Sequence, residues 1–272
     1  MRFLVGDGDP SGTFGSAHAS FAAAAPPDMM EPSILLYMGA AAFLTAILHS
    51  VGGFAGALMM AIAIAPAIGV KLTVPTVAVA MIVSHGSRAW LLRKAVDWQA
   101  FRTIFFVAFP FILAGVFLYV ELSERAVALF LGMMLLITTP LRRVLKGRSI
   151  GVPKFGLAAI AVPYGFLSGA SFGVGLMLGP FLLGAGIAGE ALVATVAVNG
   201  LLLNLLKAIA FGFSPLLTQQ TVMVGIGLGL CTMPGHYIGR MILQRTPIRV
   251  HTLFLEAFML LGAVYFLTKG LS

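Results

Sequence analysis

Residues 169–195 read GASFGVGLMLGPFLLGAGIAGEALVAT, and this stretch decides the fold. It carries no charge before Glu190, and its glycines leave a short apolar run at 172–187. A membrane-spanning helix needs about 20 apolar residues, so this run indicates a short or broken membrane helix. Glycine suits such a break because it has no side chain to block a turn or the approach of another group. Whether the run crosses the bilayer or stops inside it stays open.

The composition of the whole chain places this stretch in a membrane protein. Of the 272 residues, 60% are hydrophobic and only 10% are charged, and the mean hydropathy is +1.03. A soluble domain has about 25% charged residues. The net charge of +8 does not indicate nucleic-acid binding, because the basic residues cluster at the ends of apolar runs, as they do in cytoplasmic loops. Cys231 is the only cysteine, which excludes an internal disulfide.

Ten apolar runs separated by short polar breaks follow Pro32. This pattern predicts an all-α, polytopic membrane helix bundle of about eight to ten segments, preceded by a disordered extension at 1–32. The segments divide into a first membrane repeat at 33–141, a basic cytoplasmic linker at 142–154 and a second membrane repeat at 155–272. The predicted segments are 33–50, 54–68, 74–92, 99–120, 126–141, 155–169, 172–187, 191–213, 219–243 and 250–268.

An internal repeat organises these segments. Pro110 and Gly115 have the same spacing as Pro234 and Gly239, and similar glycine-rich breaks precede the short run of each half. Because five is an odd number of segments per repeat, the second half would have the opposite membrane topology to the first. The sequence therefore predicts two inverted repeats with broken helices, an arrangement that recurs in secondary transporters. The basic residues of the loops place the central linker on the cytoplasmic side.

Two motifs of the repeat carry a family resemblance. The second copy reads SFGVG at 171–175 with Pro180 five residues later, and the first reads GGFAG at 52–56 with Ala61 in place of the proline. From about residue 33 to 271 the chain resembles the sulfite exporter TauE/SafE family. The resemblance implies a multi-pass permease of the inner membrane that moves a small anion, such as sulfite or a sulfonate.

The glycine breaks also indicate a binding site by their chemistry. A break frees backbone N–H groups that lipid cannot satisfy, and an anion at the N-terminus of the next half-helix can accept from them. Each residue type also has a structural alternative. The glycines could serve only to allow tight helix packing, and the serine hydroxyls could donate hydrogen bonds to the backbone of their own helix. Arg88 and Lys207 could extend to opposite surfaces of the membrane. The predicted substrate-binding residues are Ser50, Gly52, Gly53, Gly56, His85, Arg88, Ser171, Gly173, Gly175, Asn204 and Lys207.

Other classes of function have less support in the sequence. No phosphate-binding Gly-Lys-Ser/Thr loop is present, so ATP is not expected to drive transport. The histidines and the cysteine show no metal-ligand spacing, so neither a metal nor a cofactor is predicted. The alternatives to a transporter are an intramembrane enzyme and an assembly subunit without transport. The predicted partners are a small anion, the lipid bilayer and a coupling proton or sodium ion, with no nucleic acid.

His236 and Glu256 form the predicted proton-coupling pair. Each lies ten residues from Thr246, in the turn between the last two segments, so antiparallel helices would place both at the same depth. A carboxylate beside a histidine can exchange a proton in the physiological range. The alternative gives His236 a backbone carbonyl as its partner, and gives Glu256 an arginine near the membrane surface, such as Arg240 or Arg245.

Overall fold

The computed structural model describes residues 29–52, 56–145, 151–153, 156–243 and 248–272. The predicted extension up to residue 28, Gly53 and much of the predicted linker lie outside the described residues. The described chain is all-helical, which confirms the predicted fold class. Its α-helices are α1 (Pro32–Gly52), α2 (Gly56–Ile68), α3 (Val70–Leu91), α4 (Trp98–Glu121), α5 (Glu124–Leu145), α6 (Leu157–Ala170), α7 (Gly175–Gly184), α8 (Gly189–Gly212), α9 (Gln219–Leu243) and α10 (Ile248–Leu271), with a short 3-10 helix at Arg93–Ala95.

Each predicted segment corresponds to one of these α-helices, and the start of α3 is one of the two ends that differ most, together with the end of α5. The prediction began at residue 74, whereas the helix begins at Val70. Gly69 explains the difference, because its φ of +82° turns the chain directly from α2 into α3. Glu124 stabilises the new helix end, since its Oε1 accepts a hydrogen bond of 3.2 Å from the Val70 N–H.

Helix length separates the full spans from the short segments. Among the described residues, α3, α4, α5, α8 and α9 each contain a stretch long and apolar enough to cross a membrane. In contrast, α2 has 13 residues and α7 has 10. At ~1.5 Å per residue these are about 20 and 15 Å long, against a hydrocarbon core of about 30 Å. Neither helix is long enough to span the bilayer by itself.

Glycines allow the closest helix contacts in the bundle. Gly165 of α6 packs on Ala108 of α4, where an added Cβ would lie 2.6 Å from the Ala108 carbonyl oxygen. One turn further along, Gly169 packs on the carbonyl oxygen of Ile112. The residue numbers rise together along both helices, so α4 and α6 run parallel. Their backbones touch as small residues permit in membrane proteins.

The last helix of each half packs against the other in the opposite sense. Gly132 of α5 contacts Leu267 of α10, and Gly270 of α10 contacts Leu129 of α5. As the number rises on one helix it falls on the other, so α5 and α10 are antiparallel. The same holds for α3 and α8, because His85 lies on Gly200 while Asp97, beyond the end of α3, donates from its N–H to Thr195 near the start of α8.

Antiparallel packing of corresponding helices is what an inverted repeat requires, and the inversion itself stays a prediction. It can be tested with thiol labels at two exposed residues in a Cys231→Ser background. Leu91→Cys marks the end of α3, and Phe213→Cys marks the residue after α8. We expect a membrane-impermeant reagent to label Phe213→Cys in intact cells, and Leu91→Cys only after permeabilisation. Labelling of both positions from the same side would contradict the inversion.

Candidate functional site

A small cavity lies where the break between α6 and α7 meets α3 and α8. Its volume is about 60 Å³, enough for a small ion or a few water molecules and far less than the ~300–1,000 Å³ of pockets for drug-sized ligands. The lining combines apolar side chains with a set of polar groups and glycines. These are His85, Arg88, Tyr164, Ser168, Ser171, Gly173, Gly175, Gly200, Asn204 and Lys207.

Most of the predicted substrate-binding residues meet in this cavity. Gly56 does not line it, although its neighbour Ala57 does. Ser50 and Gly52 belong to the last turn of α1 and Gly53 lies outside the described residues, so the role of all three stays a prediction. The predicted residues that line the cavity are His85, Arg88, Ser171, Gly173, Gly175, Asn204 and Lys207.

Gly173 brings the second break against the beginning of α2. Its φ of +75° is a conformation that residues with side chains rarely adopt. A Cβ at this position would also lie 2.7 Å from the Cβ of Leu58, the third residue of α2. The site of the second break therefore requires glycine for two independent reasons. The second break therefore packs against Leu58, which follows Gly56 by two residues in the sequence.

Lys207 carries a buried positive charge into the cavity. Its side chain is only 5% exposed, and its Nζ donates a hydrogen bond of 2.9 Å to the carbonyl oxygen of Ser171 in the break. An ammonium group has three protons to donate, and no second acceptor for it is found among the described residues. Among the described residues that line the cavity, none is a carboxylate. Lys207 thus turns inward instead of extending to the membrane surface.

Arg88 adds a second cation to the cavity from α3, and His85 lies on the same helix one turn earlier. His85 lies within electrostatic range of Arg88, Lys207 and His236. The His85 ring packs against Gly200, where a Cβ would lie 3.0 Å from the ring Nε2. Its Nδ1 is buried and has no hydrogen-bond partner among the described residues. An unsatisfied buried ring nitrogen at a cavity wall is a position from which a ligand can be bound.

The N-terminus of α7 also faces the cavity. Gly173, Val174 and Gly175 line it, and no side chain caps the helix at Val174. The first N–H groups of a helix have no partner inside the helix, and together with its dipole they attract negative charge. A Cβ at Gly175 would meet nothing within 4 Å. Open space therefore adjoins the uncapped end of α7.

The side chains of Ser171 and Asn204 each donate a hydrogen bond to a backbone carbonyl four residues earlier in the chain. The Ser171 hydroxyl donates to the carbonyl oxygen of Leu167 at 2.6 Å, so its only proton is engaged and cannot be given to an anion. The Asn204 amide donates to the carbonyl oxygen of Gly200 at 2.7 Å, which leaves its second N–H. In this arrangement the contribution of Ser171 to the cavity is its backbone carbonyl, which holds Lys207.

Comparison with protein families identifies the class of the chain. The family model described as sulfite exporter TauE/SafE matches residues 38–266, which is most of the sequence. The chain belongs to the sulfite exporter TauE/SafE family. It is therefore a multi-pass membrane permease in a family of transporters, and membership of that family implies a small anionic substrate. Neither the curated proteins nor the solved structures that were compared gave a match.

His236 of this TauE/SafE permease lies beside the cavity and contacts α3. Its Nε2 is 3.0 Å from the Oγ of Ser84, and it lies within electrostatic range of Arg88. Ser84 is one turn before Arg88 on α3, so His236 contacts the helix that carries Arg88. Sequence reasoning placed His236 in a proton pair and did not foresee this contact, which joins residues 152 positions apart.

Glu256 lies on α10, the last helix of the TauE/SafE bundle. It is buried on α10, and that helix packs mainly on α5 and also on α1 and α2, whereas the helix of His236 packs on α1 and α3. Both helices share α1 as a neighbour. The predicted pairing of His236 with Glu256 stays a prediction.

Tyr164 is a cavity residue that sequence reasoning missed, and Ser168, a serine that flanks the second break in the sequence, lines the cavity beside it. The two side chains are hydrogen-bonded to each other across one turn of α6 and both line the cavity of the TauE/SafE permease. The available signal was their spacing of four residues within an apolar helix, which puts two hydroxyl groups on one face.

Among the described residues, no cluster of His, Cys, Asp or Glu could hold a metal ion.

Proposed function

We propose that the chain is a secondary transporter that moves a small anion, such as sulfite or a sulfonate, through this cavity across the inner membrane. The observation that carries the proposal is Lys207, a buried cation that faces a cavity whose described lining has no carboxylate. Removing an ammonium group from water costs several kcal/mol unless a counter-charge offsets it. An anion bound in the cavity supplies that counter-charge.

Size and hydrogen-bonding capacity support the same kind of substrate. A volume of about 60 Å³ admits a compact ion. The donors around it are the two remaining protons of Lys207, the second N–H of Asn204 and the backbone N–H groups at the start of α7. Oxygen atoms of a sulfite or sulfonate group can accept from several of these at once. Such a set of donors favours an oxyanion over a neutral molecule.

Lys207 also provides a link between binding and movement. Its ammonium group holds the Ser171 carbonyl at the break. An oxyanion is a stronger acceptor than a neutral carbonyl, so the arriving substrate competes for the same protons. Loosening of the contact between α8 and the break would then allow α7 to shift relative to α8. Binding and the opening of the break are thereby coupled through one side chain.

The direct test measures labelled sulfite and a labelled sulfonate in proteoliposomes of the purified protein. We expect saturable flux of at least one of them, and inhibition by the unlabelled form. Thermal stabilisation of the detergent-solubilised protein by the same anions gives an independent measure of binding. Absence of both flux and stabilisation with every small oxyanion tried would overturn the proposal.

Gly175 offers a way to fill the cavity without disturbing the fold. Because a Cβ there meets nothing within 4 Å, Gly175→Leu should extend into open space, occupy the substrate volume and lower transport at least about tenfold, a loss of ~1.4 kcal/mol of binding. The matched control is Gly227→Leu, since Gly227 on α9 also has no neighbour within 4 Å and is exposed. Both variants should insert normally. Wild-type uptake by Gly175→Leu would contradict the location of the site.

A further inference from the structure

The turn between α3 and α4 must lie at a surface of the bilayer. Each of the two helices is long and apolar enough to span the membrane, and only residues 92–97 connect them. Six residues can at most reach across the polar headgroup region and return. Side chains in the turn and in the adjoining helical turns therefore lie at the depth of lipid headgroups.

Both tryptophans of the chain lie at this turn. Trp90 in the last turn of α3 is 71% exposed, and Trp98, the first residue of α4, is 50% exposed. An indole ring combines an apolar body with one N–H donor, which suits the boundary between headgroups and acyl chains. Trp98 contacts Phe101 edge to face. The two indoles face outward at the same membrane depth.

Three basic side chains accompany the tryptophans. The Arg93 guanidinium lies 4.2 Å from the centre of the Trp90 ring and donates to the Trp90 carbonyl oxygen at 3.2 Å, which fixes its position while leaving further N–H donors. Lys94 follows it and is exposed, and exposed Arg102 lies one turn after Trp98 on the same face of α4. We call Trp90, Arg93, Lys94, Trp98 and Arg102 the α3–α4 patch.

The charge of the patch is not balanced locally. The one carboxylate of the segment, Asp97, caps α4 by accepting from the N–H of Ala100 at 2.9 Å. The corresponding turn after α8 reads FSPLLT at 213–218 and has no charged residue. Because α3 and α8 are antiparallel, that turn lies toward the opposite face of the bundle. The turn after α3 thus combines basic and aromatic residues, whereas the turn after α8 has no basic residue.

We propose that the α3–α4 patch binds the headgroup of an anionic phospholipid, with the phosphate held by Arg93, Lys94 and Arg102 and the glycerol region packed between the two indoles. Arginine side chains can hold a phosphate group through two parallel hydrogen bonds, and each basic residue near the surface favours anionic lipid. This inference is independent of the transported substrate, because none of the patch residues lines the cavity.

The two tryptophans make the proposal directly measurable. They are the only tryptophans in the chain, so intrinsic tryptophan fluorescence reports on the patch alone. The full-length protein is reconstituted into liposomes, which add no tryptophan of their own, with the same mole fraction of either brominated phosphatidylglycerol or brominated phosphatidylcholine, the other lipid being unbrominated. We expect stronger quenching by the brominated anionic lipid, corresponding to local enrichment on the order of fivefold. Equal quenching by the two lipids would overturn the proposal.

Two variants complete the test. Arg93→Gln/Lys94→Gln/Arg102→Gln should lose the preference for the anionic lipid, and Lys94→Gln alone should reduce it if the triple variant does not fold. Trp90→Phe/Trp98→Phe/Phe213→Trp moves the reporter to Phe213, which is 91% exposed at the opposite turn. We expect it to be quenched equally by both lipids. The same preference at Phe213→Trp would mean general enrichment around the protein, and the site would be rejected.

Discussion

Lys207→Gln is expected to abolish measurable anion transport while the protein still folds. Glutamine keeps an N–H group that can donate to the Ser171 carbonyl, so the contact at the break survives. The positive charge is lost, and removing one partner of a buried, hydrogen-bonded charge pair costs about 2–5 kcal/mol. Since every ~1.4 kcal/mol is a factor of ten, the apparent affinity for the anion should fall by roughly 30-fold to several thousand-fold. Binding is followed by thermal stabilisation, and transport by flux in proteoliposomes.

Two comparison variants separate the charge from the structure at this position. Lys207→Arg keeps the charge and should retain part of the binding. Lys269→Gln removes a lysine that is exposed at the end of α10 and should leave both binding and flux unchanged. If Lys207→Gln binds and transports the anion as the wild type does, Lys207 is a structural residue and the proposed site is wrong.

Gly169→Ala is expected to cause a large loss of stability. A Cβ at this position would collide with the carbonyl oxygen of Ile112 and would lie 2.9 Å from the Val116 N and 3.0 Å from the Gly115 Cα. All three are backbone atoms that cannot rotate away. The gain in helix propensity from glycine to alanine is up to about 1 kcal/mol, whereas forcing extra atoms into a packed interface costs about 1–3 kcal/mol or more. The steric cost therefore exceeds the gain in helix propensity, and the variant should be less stable than the wild type.

Gly227→Ala is the matched control, and it is not expected to lower the stability of the protein. It introduces the same methyl group in a long helix, but no atom lies within 4 Å of it. Its thermal midpoint in detergent should stay unchanged or rise slightly, while that of Gly169→Ala should fall by several degrees. Equal midpoints for the two variants would show that α4 and α6 separate easily and do not form a rigid pair.

The positions of the helices could be predicted because membrane burial leaves a strong signal in sequence. Runs of apolar residues gave every helix, and 219–243 coincides with α9. The start of α3 was missed because Lys71 and Thr73 lower the local hydropathy, while the turn itself depends on the positive φ of Gly69. Lys71 lies within electrostatic range of Glu121 and Glu124. These two acidic residues are distant from Lys71 in the sequence, so the hydropathy of the local segment does not reveal them.

The candidate site could be predicted only in part for a similar reason. Glycines next to a break and paired cations are visible along the chain, and these gave Arg88, Gly173 and Lys207. The contact of His236 with Ser84 and the packing of His85 on Gly200 depend on which faces of two helices meet. Hydropathy carries little information about helix rotation in a chain that is apolar on nearly every face.

The charge of the cavity has a consequence for the energetics of coupling. A sodium ion entering beside Arg88 and Lys207 would meet like charges with no carboxylate among the described lining residues, and one such pair at 4 Å costs about 4 kcal/mol at an effective dielectric constant of 20. A cation that travels with the substrate must therefore bind elsewhere, or cross as a proton attached to the anion itself. Sulfite is basic enough to carry a proton near neutral pH, whereas a sulfonate is not. The chemistry of the cargo, rather than a dedicated ion site, would then decide whether the proton gradient contributes to transport.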